Sequence, residues 1–398
     1  MEDVQHISIL GSTGSVGTST LDVVRRHSTQ YRVDALTAHT QIELLHSQIL
    51  EFKPRVVVVA DAQRAQALRD LLSDSSSVDI RYGPAALADV AADERSPTVM
   101  SAIVGAAGLV PTLAAVQAGK KVLIANKEPL VMTGDLFMQT AHKAGATVLP
   151  IDSEHNAIFQ CLPSDQSLSG VAKLHLTASG GPFLGREWSS LSGMTASQAC
   201  AHPNWSMGPK ISVDSATMMN KGLELIEASA LFSITPDRIN IVVHPQSIIH
   251  SLVEYVDGSF LAQLGSPDMK IPIAHALAWP SRCESGAQTL SLSAISRLDF
   301  HEPDLANIPC LALAIQAAKA GGLAPIVLNA ANEIAVDAFL NDKIMFTYIP
   351  VLIEAALEQF SGPVAQDVEA VLNIDNEVRR WCEGRLSSVT QSSRQAQL

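Results

Sequence analysis

Charge is scarce in this chain of 398 residues, and what there is leans one way. Charged side chains make up 17 %, with 27 Lys and Arg against 40 Asp and Glu, for a net charge of −13. An acidic surface attracts neither nucleic acid nor an anionic membrane, so neither is an expected partner. Anionic small molecules stay open, because local basic groups or a metal can bind them. Cysteine is also sparse: Cys161, Cys200, Cys283, Cys310 and Cys382 are scattered, with no CxxC pair. That predicts reduced thiols in a cytoplasmic protein rather than a disulfide framework. A basic leader is lacking too, since Met1-Glu2-Asp3 runs straight into a strand-like stretch. The long uncharged run over 97–119 is interrupted by Gly105, Gly108, Pro111 and Gln117 and has no aromatic belt. It therefore reads as a strand, a glycine loop and a helix, not a membrane span. Against these absences, 47 % of the residues are apolar, enough for a large core spread over two or three domains.

The first 150 residues alternate between short apolar runs and helical periods. Strands are expected over 6–10, 31–37, 55–60, 78–82, 98–104, 121–125 and 146–150. Helices are expected between them, including one over 18–27, one over 41–52 and one over 130–143. That rhythm predicts an α/β fold with a doubly wound, Rossmann-like parallel sheet whose ligands sit at the carboxyl ends of the strands. Five features follow strand ends: Gly11-Ser12-Thr13-Gly14-Ser15-Val16-Gly17, Thr37 to Gln41, Gly105 to Gly108, Asn126-Lys127-Glu128, and Asp152-Ser153-Glu154. The glycine run permits a tight turn and brings phosphates to a helix N-terminus; a purely structural turn is the other reading. About 20 residues further on, NAD enzymes usually place a carboxylate for the ribose. Here Thr37, Ala38, His39, Thr40 and Gln41 supply none, which disfavours NAD; His39 and Thr40 either bond a phosphate or cap the next helix.

Asp152 and Glu154 lie two apart after an apolar run. In extended backbone such residues share a side, and two like charges there repel unless a cation sits between them. A metal site and a pair of helix-capping acids are both consistent with the stretch. Lys127, next to the apolar run 122–125, either polarises a substrate or pairs with Glu128. Beyond Cys161 the composition changes. Ser179-Gly180-Gly181-Pro182-Phe183 follows a strand over 171–177, and a long charge-poor segment over 184–210 reads as a loop with the character of a lid. It holds His202-Pro203-Asn204-Trp205 and Gly208, with Trp205 as a lid or a core residue. The run 211–224 then concentrates Ser215, Asn220, Lys221 and Glu224, a set able to hold a phosphate dianion and to add a third carboxylate; solvent-exposed i,i+3 contacts among Lys221, Glu224 and Glu227 are the other reading. Strands over 241–244, 247–255 and 259–264 with a turn at Asp257-Gly258 predict an antiparallel or mixed sheet able to pair subunits. Helices over 311–319, 328–340, 349–360 and about 365–386 predict a terminal bundle, with 387–398 frayed.

Taken together, these motifs resemble the 1-deoxy-D-xylulose 5-phosphate reductoisomerase family over nearly the whole chain. The resemblance rests on the glycine run, on Ala125-Asn126-Lys127-Glu128, and on Asp152 through Gln160. It continues through Ser179 to Phe183, His202 to Gly208, Ser212 to Glu224, His244-Pro245-Gln246-Ser247 and Leu328-Asn329-Ala330-Ala331-Asn332-Glu333.

It implies rearrangement and NADPH-dependent reduction of 1-deoxy-D-xylulose 5-phosphate to 2-C-methyl-D-erythritol 4-phosphate, a step of non-mevalonate isoprenoid synthesis. The alternative is an NADP-dependent sugar-phosphate dehydrogenase without isomerisation; a nucleotide-sensing scaffold is a third reading. The resemblance assigns Asp152, Glu154 and Glu224 to Mg²⁺ or Mn²⁺, with Co²⁺ as a further candidate. It assigns Ser179, Ser215, Asn220 and Lys221 to the phosphate, Ser153, Glu154 and Lys127 to the reacting end, and His202 and Trp205 to the lid. NADPH falls to Gly11 through Gly17, His39, Gln41, Asn126, Glu128 and Gly208. Members often carry a basic residue and Asn where this chain has Thr40 and Gln41, so His39 becomes the candidate for the 2′-phosphate. The implied domains are a nucleotide domain over 1–151, a catalytic and dimerising domain over 152–285 with its lid at about 180–210, a linker over 286–310, and a helical domain over 311–398. A homodimer is implied as well.

Overall fold

The computed structural model describes residues 4–72, 77–163 and 165–395, with the backbone alone described for 388–395. Seven strands, β1 (Gln5–Leu10), β2 (Tyr31–Thr37), β3 (Val56–Val59), β4 (Asp79–Tyr82), β5 (Thr98–Ser101), β6 (Lys121–Ile124) and β7 (Thr147–Pro150), form one sheet in the order β4-β3-β2-β1-β5-β6-β7. Every pairing is parallel. The interior strands are buried on both faces, which is why they read as continuous apolar runs such as the four valines of β3. Helices α1 (Ser15–Arg26), α2 (Ile42–Phe52), α3 (Ala62–Leu71), α4 (Gly83–Ala92) and α5 (Leu109–Gln117) make the crossovers. Strand order reverses between β1 and β5, so the crevice for ligands lies beyond those two carboxyl ends.

By contact, the chain divides into two units, and neither is a continuous segment. The first comprises Met1–Pro129, Phe137–Phe159 and Asp268–Thr289; the second comprises Leu130–Leu136, Gln160–Pro267 and Leu290–Leu398. Contiguous domains were expected, with 152–285 a single one. Instead, after β7, α6 (Glu128–Thr133), α7 (Asp135–Ala144), α8 (Ser153–Cys161) and much else, the chain returns to the first unit. Counting on from α9 (Ala196–Ala199), α10 (Pro209–Ala216) and α11 (Met219–Leu231), the returning helix is α12 (Lys270–Ala278). Its Ile273, Ala274 and Leu277 join Ile7, Ile9, Val33, Leu36, Leu123 and Leu149 in one core, and it packs on α1. Lys121 donates to the carbonyl of Leu277 at 2.8 Å. The single helix expected over 130–143 is two helices, α6 and α7, parted at Gly134 with φ +48°.

The second unit is built on strands β8 (Val171–Ala178), β9 (Ile239–Val243), β10 (Ile249–Tyr255) and β11 (Phe260–Leu264), in the order β11-β10-β8-β9. It is a mixed sheet: β8 and β9 are parallel and the other pairs antiparallel. The turn at Asp257-Gly258 is closed by Asp257, whose carboxylate accepts from the Ser259 amide at 2.9 Å. Helices α13 (Leu292–Ile295), α14 (Pro309–Ala320), α15 (Ala324–Leu340), α16 (Ile349–Gln359) and α17 (Val368–Gln395) complete the unit. With α10 and α11, helices α14 to α17 bury Val213, Leu223, Ala314, Leu328, Phe339, Phe346 and Val378 in a second core. Two expectations are corrected by this arrangement. The segment 286–310 is divided between the units and carries an ordered bridge, His301 to Val243. The backbone of α17 stays helical to Gln395 rather than fraying from 387; residues 396–398 lie outside the described residues.

Candidate active site

The glycine run sits at the turn from β1 into α1. Gly11 adopts φ +83°, and a Cβ there would lie 2.6 Å from the Ala102 carbonyl at the end of β5. Its amide donates to Thr37 Oγ1 at 2.8 Å, tying the ends of β1 and β2 together. Gly17 has to be glycine for a different reason: a Cβ would overlap Gly11 O and the backbone of Ser12. Gly14 is the N-cap of α1 and no side chain caps that end, while Gly14 and Ser15 are exposed. First-turn N–H groups are therefore presented to an anion. Thr13 and Val16 are half-buried beside them. Ser12 does not fit the cofactor role expected of it. It is fully buried, its hydroxyl bonds Gln48 Oε1 at 2.7 Å, and its amide bonds Thr37 O at 2.8 Å. It shapes the loop from beneath and offers a ligand nothing. His39 and Gln41 are exposed at the end of β2, and the Gln41 amide reaches Thr13 O at 3.5 Å. Gln41 occupies the N-cap of α2 without a side-chain cap bond, so His39 and Thr40 do not serve as that cap.

After β6 come three buried polar residues. Asn126 is 5 % exposed and accepts from Ser101 Oγ at 3.1 Å. Gly108 lacks a side chain just where one would strike the Asn126 amide nitrogen. Neither Ser101 nor Gly108 stands out individually in the sequence, although Gly108 closes the glycine pair at the end of β5. Glu128 is 4 % exposed. Lys127, 5 % exposed, places Nζ 2.7 Å from Asp152 Oδ2. Neither Lys127 nor Glu128 is on the surface, and the lysine spans from the end of β6 to the end of β7.

Asp152 and Glu154 do converge, with a carboxylate oxygen of each within 4.8 Å of the other's, but not through the extended backbone expected. Ser153 opens α8, so Asp152 precedes the helix and Glu154 lies in its first turn. Asp152 turns to Lys127, while Ser153 donates to Glu154 Oε2 at 2.6 Å. The start of α8 is fixed by Asn156, whose amide bonds Pro150 O at 2.9 Å and His275 Nδ1 at 3.2 Å. An Nδ1 that accepts belongs to a neutral imidazole. Desolvation first, then Arg282 and Lys121, pushes His275 down to about 4.

In the second unit, Gly180 and Gly181 carry φ +85° and +70°, and a Cβ on Gly181 would lie 2.5 Å from Ser215 O. The turn after β8 thereby seats on the end of α10. Ser179 Oγ accepts from the Gly181 amide at 3.1 Å and meets His202 Nε2 at 2.9 Å. His202 Nδ1 accepts the amides of Asn204 and Trp205, so Nε2 carries the proton and donates to Ser179. With both incoming bonds accepted, the Ser179 hydroxyl proton is left to donate to a further acceptor. The run expected as one short helix is split at Met218 (φ +61°) into α10, which carries Ser215, and α11, which carries Asn220, Lys221 and Glu224. Glu224 is 1 % exposed; it accepts from Asn220 Nδ2 at 2.5 Å and is ion-paired with Lys221. The expected lid is partly ordered. Trp188–Leu191 forms a 3₁₀ turn with Trp188 against Phe346, and α9 carries a capping box from Thr195 and Gln198. The irregular stretch is 200–208, with Gly208 exposed at its end. There Asn204 donates to Pro245 O and Ser247 Oγ, and Trp205 lies half-buried with its ring 5.9 Å from that of His250.

One arrangement thus offers a nucleotide loop with a carboxylate–lysine pair, the other an amide, an ammonium and hydroxyls around a third carboxylate. A model described as 1-deoxy-D-xylulose 5-phosphate reductoisomerase matches residues 7–134, and models of C-terminal domains of that enzyme match 148–232 and 264–381. A 1-deoxy-D-xylulose 5-phosphate reductoisomerase of Ralstonia nicotianae is 56 % identical over 96 % of this chain and 98 % of its own length. The chain belongs to the 1-deoxy-D-xylulose 5-phosphate reductoisomerase family. A reductoisomerase of Stutzerimonas stutzeri is 57 % identical over 94 % of the chain and 96 % of its own length. Among solved structures, a reductoisomerase in complex with NADPH, fosmidomycin and magnesium superposes with a TM-score of 0.93 at 48 % identity, covering 98 % of this chain and all of that one. The Zymomonas mobilis reductoisomerase in complex with NADPH gives 0.90 at 44 %, covering 97 % and 100 %.

Proposed function

We propose that this reductoisomerase divides its chemistry between the two units, the cofactor going to the first and the substrate phosphate to the second. The reaction is the NADPH- and divalent-metal-dependent rearrangement and reduction of 1-deoxy-D-xylulose 5-phosphate to 2-C-methyl-D-erythritol 4-phosphate. The observation that carries this reading is similarity to named reductoisomerases over nearly the full chain. Asp152, Glu154 and Glu224 are the ligands of Mg²⁺ or Mn²⁺. The donor set fits a hard cation, being all carboxylate oxygen, and in each unit a lysine already stands where positive charge is needed, Lys127 on Asp152 and Lys221 on Glu224. When bound, the metal supplies Lewis acidity that stabilises negative charge on substrate oxygen. NADPH supplies the hydride for the reduction.

The remaining steps belong to the protein. Ser179, Ser215, Asn220 and Lys221 bind the phosphate: Ser179 donates the hydroxyl proton that His202 leaves to it, and Lys221 supplies the charge. Lys127, buried and therefore weakly solvated, holds a proton on Nζ toward the reacting end, with Ser153 beside it. His202 and Trp205 close over the substrate and exclude water. On the cofactor side, Gly11, Thr13, Gly14, Ser15, Val16 and Gly17 present backbone N–H groups to the pyrophosphate, with Ser12 bracing them from below. His39 and Gln41 reach the ribose phosphate, and Asn126, Glu128 and Gly208 complete the cofactor contacts. The chain pairs as a homodimer through the four-stranded sheet. Its edge strand β11 exposes Phe260 and Leu261, each 51 % accessible, a surface that suits burial against a second copy. It works in the cytoplasm, a reading its five free thiols support. No helix among the described residues is long and apolar enough to cross a membrane.

The deciding experiment is NADPH oxidation with 1-deoxy-D-xylulose 5-phosphate, with and without Mg²⁺ or Mn²⁺, with product analysis. A branched product that forms only with metal is expected. A straight-chain reduced product would instead select the simple dehydrogenase.

A further inference from the structure

The motif Leu328-Asn329-Ala330-Ala331-Asn332-Glu333 has no part in the proposed chemistry, yet it holds polar groups where a core helix should have none. Asn332 is fully buried on α15, among Val327, Leu328, Ala331 and Ala335. Its Nδ2 donates to Asp214 Oδ1 at 2.8 Å. Asp214 is 1 % exposed, in the middle of α10 between the core residue Val213 and Ser215. Its second oxygen, Oδ2, lies 2.9 Å from Lys210 Nζ, one turn earlier on the same helix. A carboxylate so deep is costly unless each oxygen is bonded, and apolar residues of similar size would serve stability as well or better. What such a group provides is direction. The bond fixes the rotation of α10 about its axis in a way that interchangeable apolar contacts do not.

That rotation sets the position of the phosphate ligands. Ser215 is the next residue, and its carbonyl is the seat on which Gly181 rests. Thr217 Oγ1 then bonds Val213 O at 3.1 Å and accepts the Met219 amide at 3.3 Å, converting α10 into α11 through the left-handed Met218. Turning α10 therefore moves Ser215 directly, and Asn220 and Lys221 through the linkage.

We propose that Asp214 and Asn332 are positioning residues for phosphate recognition, acting through Ser215 and the start of α11. The proposal rests on the reading that Ser215, Asn220 and Lys221 hold the substrate phosphate. The full-length enzyme is compared with N332L, N332D, the exchange variant D214N/N332D, and S215A as the direct-contact control. Each is assayed well below its melting temperature for KM, kcat, NADPH affinity and inhibition by inorganic phosphate. N332L is expected to raise the KM for the sugar phosphate, and the inhibition constant of inorganic phosphate, about tenfold, the equivalent of ~1.4 kcal/mol. NADPH affinity should not change. N332D, which sets two carboxylates face to face, should do worse or fail to fold, in which case N332L alone decides. D214N/N332D restores a donor and an acceptor with reversed polarity and should recover KM to within about threefold of the parent. If N332L lowers the melting temperature but leaves both constants within about twofold of the parent, the pair is merely structural and the proposal fails while S215A still raises KM. If S215A itself leaves KM unchanged, the phosphate reading falls and takes the proposal with it.

Discussion

Replacing Glu224 with Gln separates charge from shape at the metal ligand proposed in the second unit. In the parent, the carboxylate is 1 % exposed, accepts from Asn220 Nδ2 and pairs with Lys221, itself 3 % exposed. Gln keeps the volume and one acceptor oxygen but turns an NH₂ toward one of those two donors. One charge-assisted bond is lost, worth ~1.5–3 kcal/mol, and Lys221 keeps a buried charge without its counterion. At about 2–4 °C per kcal/mol for a unit of this size, melting should fall by roughly 3–12 °C. Turnover should fall much further, because a carboxylate has been removed from the proposed donor set. A loss of at least ~100-fold in kcat corresponds to only ~2.7 kcal/mol of transition-state stabilisation. NADPH binding should survive, since the glycine loop belongs to the other unit. The assays are NADPH oxidation across a metal titration, thermal melting, and cofactor binding measured by fluorescence. Full turnover by the parent without any divalent metal, or an E224Q variant with the parent's metal dependence, would refute the reasoning.

Gly181→Ala should cost ~1–2 kcal/mol for the left-handed backbone alone, and its Cβ would press on Ser215 O; denaturant melting and KM should both worsen, and an unchanged KM would argue against the seating of that turn. Lys127→Met leaves Asp152 without its ammonium and should destabilise the metal-free protein by ~3 kcal/mol. Adding Mg²⁺ should then raise the melting temperature more than it does in the parent, and an equal rise would count against a cation at Asp152. His275 sets an acid limb. Its folded value of about 4 lies below its ordinary 6.5, so the unfolded chain takes up the proton first as pH drops. Stability from this group is complete above about 6.5 and drains away as pH falls toward 4. His275→Gln should flatten melting temperature against pH across that window, and a variant as acid-sensitive as the parent would show that other groups dominate.

The parallel sheet was legible because its signal is local: two-sided burial forces runs such as the four valines of β3, and turns must separate them. The residues of the proposed site drew attention for a related reason, since Ser215, Asn220, Lys221 and Glu224 gather within ten residues. What escaped depends on partners distant in sequence. Ser12 looks like a ligand contact until Gln48 claims its hydroxyl from 36 residues away. Lys127 has a carboxylate next door, yet finds Asp152 across two strand ends. The break at Met218 has no glycine to announce it; Thr217 imposes it through bonds to both flanking helices. The membership of α12 in the first core is a matter of which apolar face fits where, and no periodicity reports that.

That membership also bears on the order in which the protein is made. The nucleotide unit's sheet is complete once Pro150 has been synthesised, but Ile273 and Leu277, which share its core, come only after the whole 160–267 stretch of the other unit. At about 5–20 residues per second, roughly 6–25 s pass between Pro150 and Leu277 with apolar surface on the first unit uncovered. An N-terminal fragment ending near residue 151 is therefore expected to be sticky rather than a free-standing nucleotide-binding module. On the ribosome, the two units must mature in an interleaved order, the first beginning before the second and finishing only once the chain has come back to it.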